Sequence, residues 1–213
     1  MGGVPAEPPR RTPALPKGPS HGSRAQRTLD RIDRLARIVR LPRHQGEMSP
    51  AQWEALSYLA RANLPSRTPG ALALYLGATK GTVSQTVIAL ERRGLIEKTE
   101  NPTDRRSVRL DLTTAGRELL SEAPIEPLAR ALQSLTSEQR RGIEHALDLV
   151  LRVMVTEGAA RPFGRCRDCR HFSDAADPGA AEPFQCRLLA IPLSQADGEL
   201  ICAEQQPGGG DRR

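Results

Sequence analysis

Four cysteines, Cys166, Cys169, Cys186 and Cys202, follow one another near the end of a 213-residue chain with the spacing C-x2-C-x16-C-x15-C. Thiolates are soft ligands, and the first pair offers two sulfurs from a single tight turn, half of a four-sulfur site. A structural zinc ribbon usually pairs two short knuckles, whereas iron–sulfur clusters accept dispersed cysteines, so zinc and a cluster both stay open. His171, two residues past the second cysteine, would replace one sulfur, act as an outer donor to the site or be a surface residue. Arginines 165, 167, 170 and 187 would lower the thiol pKa values. The competing expectation is four reduced thiols in a metal-free hydrophobic hook. All three phenylalanines, Phe163, Phe172 and Phe184, share this stretch with Leu188, Leu189, Ile191, Leu193, Leu200 and Ile201, which is not the composition of a disordered tail. Some forty residues cannot build a stable core unaided, and a metal commonly compensates.

A second group of candidates lies in TKGTVSQT, where Thr79, Lys80, Thr82, Ser84 and Gln85 crowd polar side chains into two turns. Hydroxyls at the start of a helix hydrogen-bond phosphates, and Lys and Gln side chains reach base edges. Arg105, Arg106 and Arg109 add cationic side chains about twenty residues later, beside Asp104. The charge balance points the same way. Residues 1–112 carry 19 Lys and Arg against 10 Asp and Glu, and residues 113–213 carry 12 against 15, so the halves are +9 and −3. A basic half of that size suits a polyanion.

The elements that must position these residues are legible as periodicity and punctuation. Residues 1–24 hold six prolines in the first twenty positions and predict a disordered Pro/Arg-rich tail. From Ala25, Leu29, Ile32, Leu35, Ala36 and Val39 recur at helical spacing, ending before Pro42. Ser49-Pro50-Ala51-Gln52 reads as a capping box, with Trp53, Leu56, Leu59 and Ala60 as the apolar face behind it. Thr68-Pro69 opens a short helix through Ala71, Leu72, Leu74 and Leu76, which Gly77 closes. Thr79 then opens a helix whose buried face is Val83, Val87 and Leu90, with Gly94 as its stop. Helix, short turn and helix, followed by LIEKTE and SVRLDLT as the strands of a hairpin around NPTDRR, is a winged helix-turn-helix. TTAGRELLSEA is helical, a break follows at Pro124 and Pro127, and Thr136-Ser137-Glu138-Gln139 caps a long helix through Ile143, Leu147, Val150, Leu151 and Met154.

The stretches LGATKGTVSQTVIALERRGLI and DRRSVRLDLTTAGREL resemble the MarR family of bacterial transcriptional regulators, in a likeness that covers roughly residues 25–156. Leu90, Glu91, Gly94, Leu95, Ile96, Asp104, Arg106, Leu112, Thr113 and Gly116 match the family phrases in register. Gly81 departs from the serine often found at that position, leaving one hydroxyl fewer. The resemblance implies a homodimer with interlocked terminal helices and one winged helix per subunit, presented to a pseudo-palindromic site on double-stranded DNA. It implies Thr79, Lys80, Thr82, Ser84, Gln85, Arg105, Arg106 and Arg109 as DNA-binding residues, with Arg106 entering the minor groove and Asp104 supporting the wing. It further implies a repressor with a small-molecule effector.

The expected fold class is therefore mainly α with a small β-hairpin wing. Three regions follow: a tail (1–24), a winged-helix dimer domain (25–158) and a Cys-rich C-terminal module (159–213). Enzymatic readings find no support, because His21, His44, His145 and His171 fall in no nucleophile elbow, phosphate loop or zinc-hydrolase motif. With no apolar run of bilayer length and no secretory signal, a cytoplasmic protein without a membrane partner is expected. The rival expectation is a redox or iron–sulfur protein whose winged helix mediates protein interaction.

Overall fold

Ser49 and Gln52 close a reciprocal cap, the Gln52 amide donating to the Ser49 hydroxyl (3.3 Å) and the Ser49 amide to the Gln52 side chain (2.9 Å). Helix α2 (Pro50–Arg61) follows as expected. The computed structural model describes residues 22–40, 48–100, 108–122, 127–174 and 181–208. The expected tail falls almost wholly outside them.

Helix α2 buries Ala55, Leu56, Tyr58 and Leu59. Ala60, expected on that face, is exposed instead, because Tyr58 takes the inward position and donates its hydroxyl to the buried Ser66 carbonyl (2.9 Å). A 3₁₀ turn (Leu64–Ser66) leads into α3 (Pro69–Leu76), capped by Thr68. This helix is apolar nearly all round, so its sequence does not choose a face. Packing buries Ala71, Leu72 and Ala73 and leaves Leu74 at 44% exposure. Gly77 sits at φ +60 and its N–H reaches back to the Ala73 and Leu74 carbonyls, the left-handed stop that glycine adopts without steric cost. Helix α4 (Lys80–Arg92) starts at once, with the Thr82 amide donating to the Thr79 hydroxyl (3.2 Å), and buries Val83, Thr86, Val87 and Leu90.

The wing is the antiparallel pair β1 (Ile96–Glu100) and β2 (Val108–Leu112), in register from Ile96 opposite Leu112 to Glu100 opposite Val108. Its inner side chains Ile96, Leu110 and Leu112 join the helical core. Thr113 then hands the chain from wing to helix. Its hydroxyl donates to the Gly94 carbonyl (2.6 Å) and accepts from the Gly116 amide (3.1 Å), capping the first turn of α5 (Thr114–Glu122). Gly116 is pressed against the Leu95 backbone, where an added Cβ would lie 2.1 Å from the Leu95 carbonyl oxygen. The glycine three residues after Thr113 thus has a steric reason.

Helix α1 (Arg24–Arg40) lies against α6 (Pro127–Gln133). Helix α7 (Ser137–Thr156) begins with the expected box between Thr136 and Gln139 and buries none of its side chains. The C-terminal module is a set of five very short strands: β3 (Gly164–Arg165), β4 (Phe172–Asp174), β5 (Phe184–Cys186), β6 (Ile191–Leu193) and β7 (Ile201–Cys202). They pair as β3 with β7 and as a β4-β5-β6 meander. Strands of two or three residues are too short for alternation to show, and the sequence reading contains none of them. Phe163, Ile201 and Ala203 pack onto the winged-helix core, so the module is seated on that core. Among the described residues no helix is long and apolar enough to cross a membrane.

A methyl group at Gly116 must displace backbone. Gly116→Ala is expected to cost about 1–3 kcal/mol or more, measured by urea unfolding. Gly81→Ala, whose added Cβ meets nothing nearer than the Thr79 hydroxyl at 3.8 Å, should instead unfold at equal or higher urea, gaining up to about 1 kcal/mol of helix propensity.

Candidate functional site

Helix α4 divides cleanly by face. Val83, Thr86, Val87 and Leu90 point into the core, while Thr79, Lys80, Thr82, Ser84 and Gln85 are all exposed. The Thr79 and Thr82 hydroxyls lie 2.9 Å apart, either one able to donate to the other. Ser84 and Gln85 stand one turn further along. All five candidates therefore sit on the open first two turns, where amide N–H groups and the helix dipole favour anions.

Behind this surface, Asp111 on β2 collects three donors. Arg109 Nε lies at 2.6 Å, the Thr99 hydroxyl at 3.0 Å and Arg67 Nη1 at 3.3 Å. Burial pushes the Asp111 carboxyl up, and the bonds from Arg109, Thr99 and Arg67 more than reverse this, holding its pKa below the usual carboxylate range. Arg109, expected at the DNA, is about three-quarters buried in this pairing, so its guanidinium stiffens the returning strand. Arg67 also donates to the Ala62 carbonyl (3.1 Å), and its own carbonyl accepts from the Leu110 amide (2.7 Å). Neither Asp111 nor Arg67 stood out in the sequence, because a single acid on a strand and an arginine 44 residues away carry no shared pattern. The wing tip with Asp104, Arg105 and Arg106 lies outside the described residues.

Residues 47–107 match the model of the MarR family. An uncharacterized HTH-type transcriptional regulator of Mycobacterium leprae is 32% identical over 116 residues, which span 53% of this chain and 81% of that protein. An HTH-type transcriptional regulator of Mycobacterium tuberculosis is 30% identical over 113 residues, 51% of this chain and 79% of that one. The chain belongs to the MarR family. A solved Staphylococcus aureus MepR–DNA complex is 22% identical, covering 62% of this chain and 98% of that one with a TM-score of 0.48; the family assignment rests on the sequence relatives. These relatives are regulators and not enzymes.

The cysteine module lies beyond the stretch matched by the MarR family model. All four cysteines line one small cavity together with Phe172, Leu188, Leu189, Leu193 and Glu204. Cys166, Cys169 and Cys202 are buried, Cys186 is half-buried, and all four are free thiols. The Asn63 side-chain amide donates to Cys166 Sγ (3.1 Å) and the Gln206 amide to Cys169 Sγ (3.4 Å). As the side chains stand, no three ligand-type groups among the described residues are close enough to hold a metal ion. His171 does not line the cavity; its Nε2 faces the Gln206 side chain at 3.1 Å.

The Cys202 thiol is lowered to about 6, chiefly by its hydrogen bond with Cys166, which burial opposes and the Glu204 amide, Asn63 and Ser66 assist. Cys166 is raised by the same bond and by burial. The nearby arginines are not the cause, contrary to the sequence expectation. Arg165 pairs with Asp168 and Glu199, and Arg167 pairs with Glu199 while lying over the Phe172 and Phe184 rings. Their charges are already answered by carboxylates.

Because the folded Asp111 pKa is depressed, its contribution is complete above the unfolded value of about 3.9 and is lost as pH falls through the folded value. Asp111→Asn should cost about 1–3 kcal/mol at neutral pH. Urea titrations repeated from neutral pH into acid should show parent and variant stabilities converging.

Proposed function

We propose that this MarR-family regulator binds double-stranded DNA sequence-specifically as a homodimer, acts as a repressor and works in the cytoplasm. The observation that carries the reading is the face of α4. Five polar residues occupy its exposed first two turns while the opposite face is sealed into the core, the disposition a recognition helix needs to enter a major groove. Lys80 and Gln85 reach base edges, Thr79, Thr82 and Ser84 hold phosphates, and Arg105 and Arg106 at the wing tip follow the backbone and the minor groove. In this reading Asp104 supports the wing, and Arg109, paired with Asp111, adds its charge to the same surface.

The dimer is supported by what α1 and α7 leave uncovered. Leu29, Ile32, Leu35 and Ile38 on α1, and Ile143, Leu147, Val150, Leu151 and Met154 on α7, are each at least 36% exposed. Two amphipathic helices with no burial of their apolar stripes require a partner, and a second copy offers the same stripes by symmetry. Two α4 helices about 34 Å apart would then meet successive major grooves of a pseudo-palindrome. A groove of about 330 Å³, lined in part by Leu151, Val155 and Phe163, has room for the small effector that the family resemblance implies.

Mobility shifts against the protein's own upstream region test the reading. Binding should be sequence-selective and should weaken linearly in log–log form with added salt. Arg106→Ala should cost about 1–3 kcal/mol of specific binding with unfolding unchanged. Association without sequence preference would overturn the regulator reading. Separately, Leu147→Glu should shift the protein from dimer to monomer in analytical ultracentrifugation and abolish half-site cooperation. A dimer that survives it places the interface elsewhere.

A further inference from the structure

The buried core of the C-terminal module is Cys166, Cys169, Phe172, Leu193 and Cys202, with Phe184, Cys186 and Ile191 partly buried against it. Half of those eight side chains are cysteines, a core too small and too sulfur-rich to account for a folded module of this length by apolar burial alone. The short strands exist where they bring sulfur together. Pairing of β3 with β7 sets Gly164 opposite Cys202, and pairing of β4 with β5 sets Phe172 opposite Cys186, so that Cys166, Cys169, Cys186 and Cys202 line one cavity. Two of the sulfurs already accept N–H bonds, from Asn63 and Gln206, as ligating thiolates commonly do.

The same module grips the helix-turn-helix at a single turn. Asn63 is 2% exposed and uses its groups in three directions. Its amide N–H donates to the Ile201 carbonyl (2.8 Å), its Oδ1 accepts from the Ser66 amide (3.1 Å), and its Nδ2 donates to Cys166 Sγ (3.1 Å). Next to it, the Ala203 amide donates to the Ser66 hydroxyl (2.9 Å). The turn between α2 and α3 is therefore held by the two residues that flank Cys202 and by Cys166 itself.

We propose that Cys166, Cys169, Cys186 and Cys202 are the ligands of one thiolate metal centre, zinc or an iron–sulfur cluster, and that Asn63 clasps this centre to the helix-turn-helix, so that filling it stiffens the turn between α2 and α3. The arriving ion or preformed cluster exchanges its carrier ligands for four sulfurs, and the thiol protons leave to solvent; no electron is transferred. The bond from Asn63 Nδ2 to Cys166 Sγ is the link through which a filled centre would hold the turn. The proposal goes beyond DNA recognition and does not depend on it.

The test uses the full chain purified anaerobically, with zinc, iron, acid-labile sulfide and free thiols quantified beside the visible spectrum. Stoichiometric zinc in colourless protein, or iron and sulfide with broad visible absorption, supports the site and says which centre fills it. Four free thiols or disulfides without metal overturn it. Cys186→Ser, at the half-buried ligand, should lose the metal. Amide exchange at residues 62–66 should be slower in loaded than in chelator-stripped protein, and equal rates overturn the clasp. Asn63→Asp keeps the acceptor for Ser66 and removes the donor to sulfur; it should bind metal about 10–100-fold more weakly in chelator competition and lose the exchange difference. Neither readout involves DNA, so failure here is distinct from failure of the regulator reading.

Discussion

The turn from Ala62 to Arg67 is the constraint on which the rest of this structure depends. Its Ala62, Asn63 and Ser66 are buried, and a buried backbone group left without a partner costs about 1–3 kcal/mol, more than an ordinary hydrogen bond contributes. Every neighbouring unit supplies one of its partners. Helix α2 reaches it through the Tyr58 hydroxyl on the Ser66 carbonyl. The wing reaches it through the Leu110 amide on the Arg67 carbonyl, and the cysteine module through Ile201, Ala203 and Cys166. A unit that moved away would leave the turn unsatisfied.

That arrangement explains how a wing of two five-residue strands is held rigid beside α4. Asp111 and Arg67 tie β2 to the turn, Arg109 and Thr99 tie the two strands to Asp111, and Thr113 with Gly116 ties the end of the wing to the Gly94–Leu95 stop of α4. The polar surface of α4 and the wing are thus positioned by one continuous network, and their spacing does not rely on an isolated two-stranded ribbon, which is marginal in water. The same network holds the guanidinium of Arg109 against Asp111 on the returning strand.

The contrast between the core and the outer helices is equally physical. Residues 48–100 and 108–122 bury most of their large apolar side chains within the chain, with Leu64, Leu74 and Val108 left exposed, whereas α1 and α7 leave their stripes in solvent. A 20-residue helix with no buried side chain is not stabilised by its own fold.

Local rules decided much of this protein in advance. Ser49, Thr68, Thr79 and Thr136 mark helix starts because a hydroxyl at the N-cap answers amides that the helix cannot, and Gly77 and Gly94 mark stops because they accept a positive φ. Those signals, with the alternation of Leu110 and Leu112, made the winged helix and its family legible from residues alone. Tertiary structure alone decided the rest. It turned Tyr58 inward in place of Ala60 and assigned Arg109 to Asp111. It drew Cys166 to Asn63 across 103 residues. It built strands too short for their own pattern to announce. Caps and periodicity act within one or two turns of chain, so their signature is written in neighbouring letters. Hydrogen-bond satisfaction of a buried turn acts through space, and only the folded chain brings its partners together.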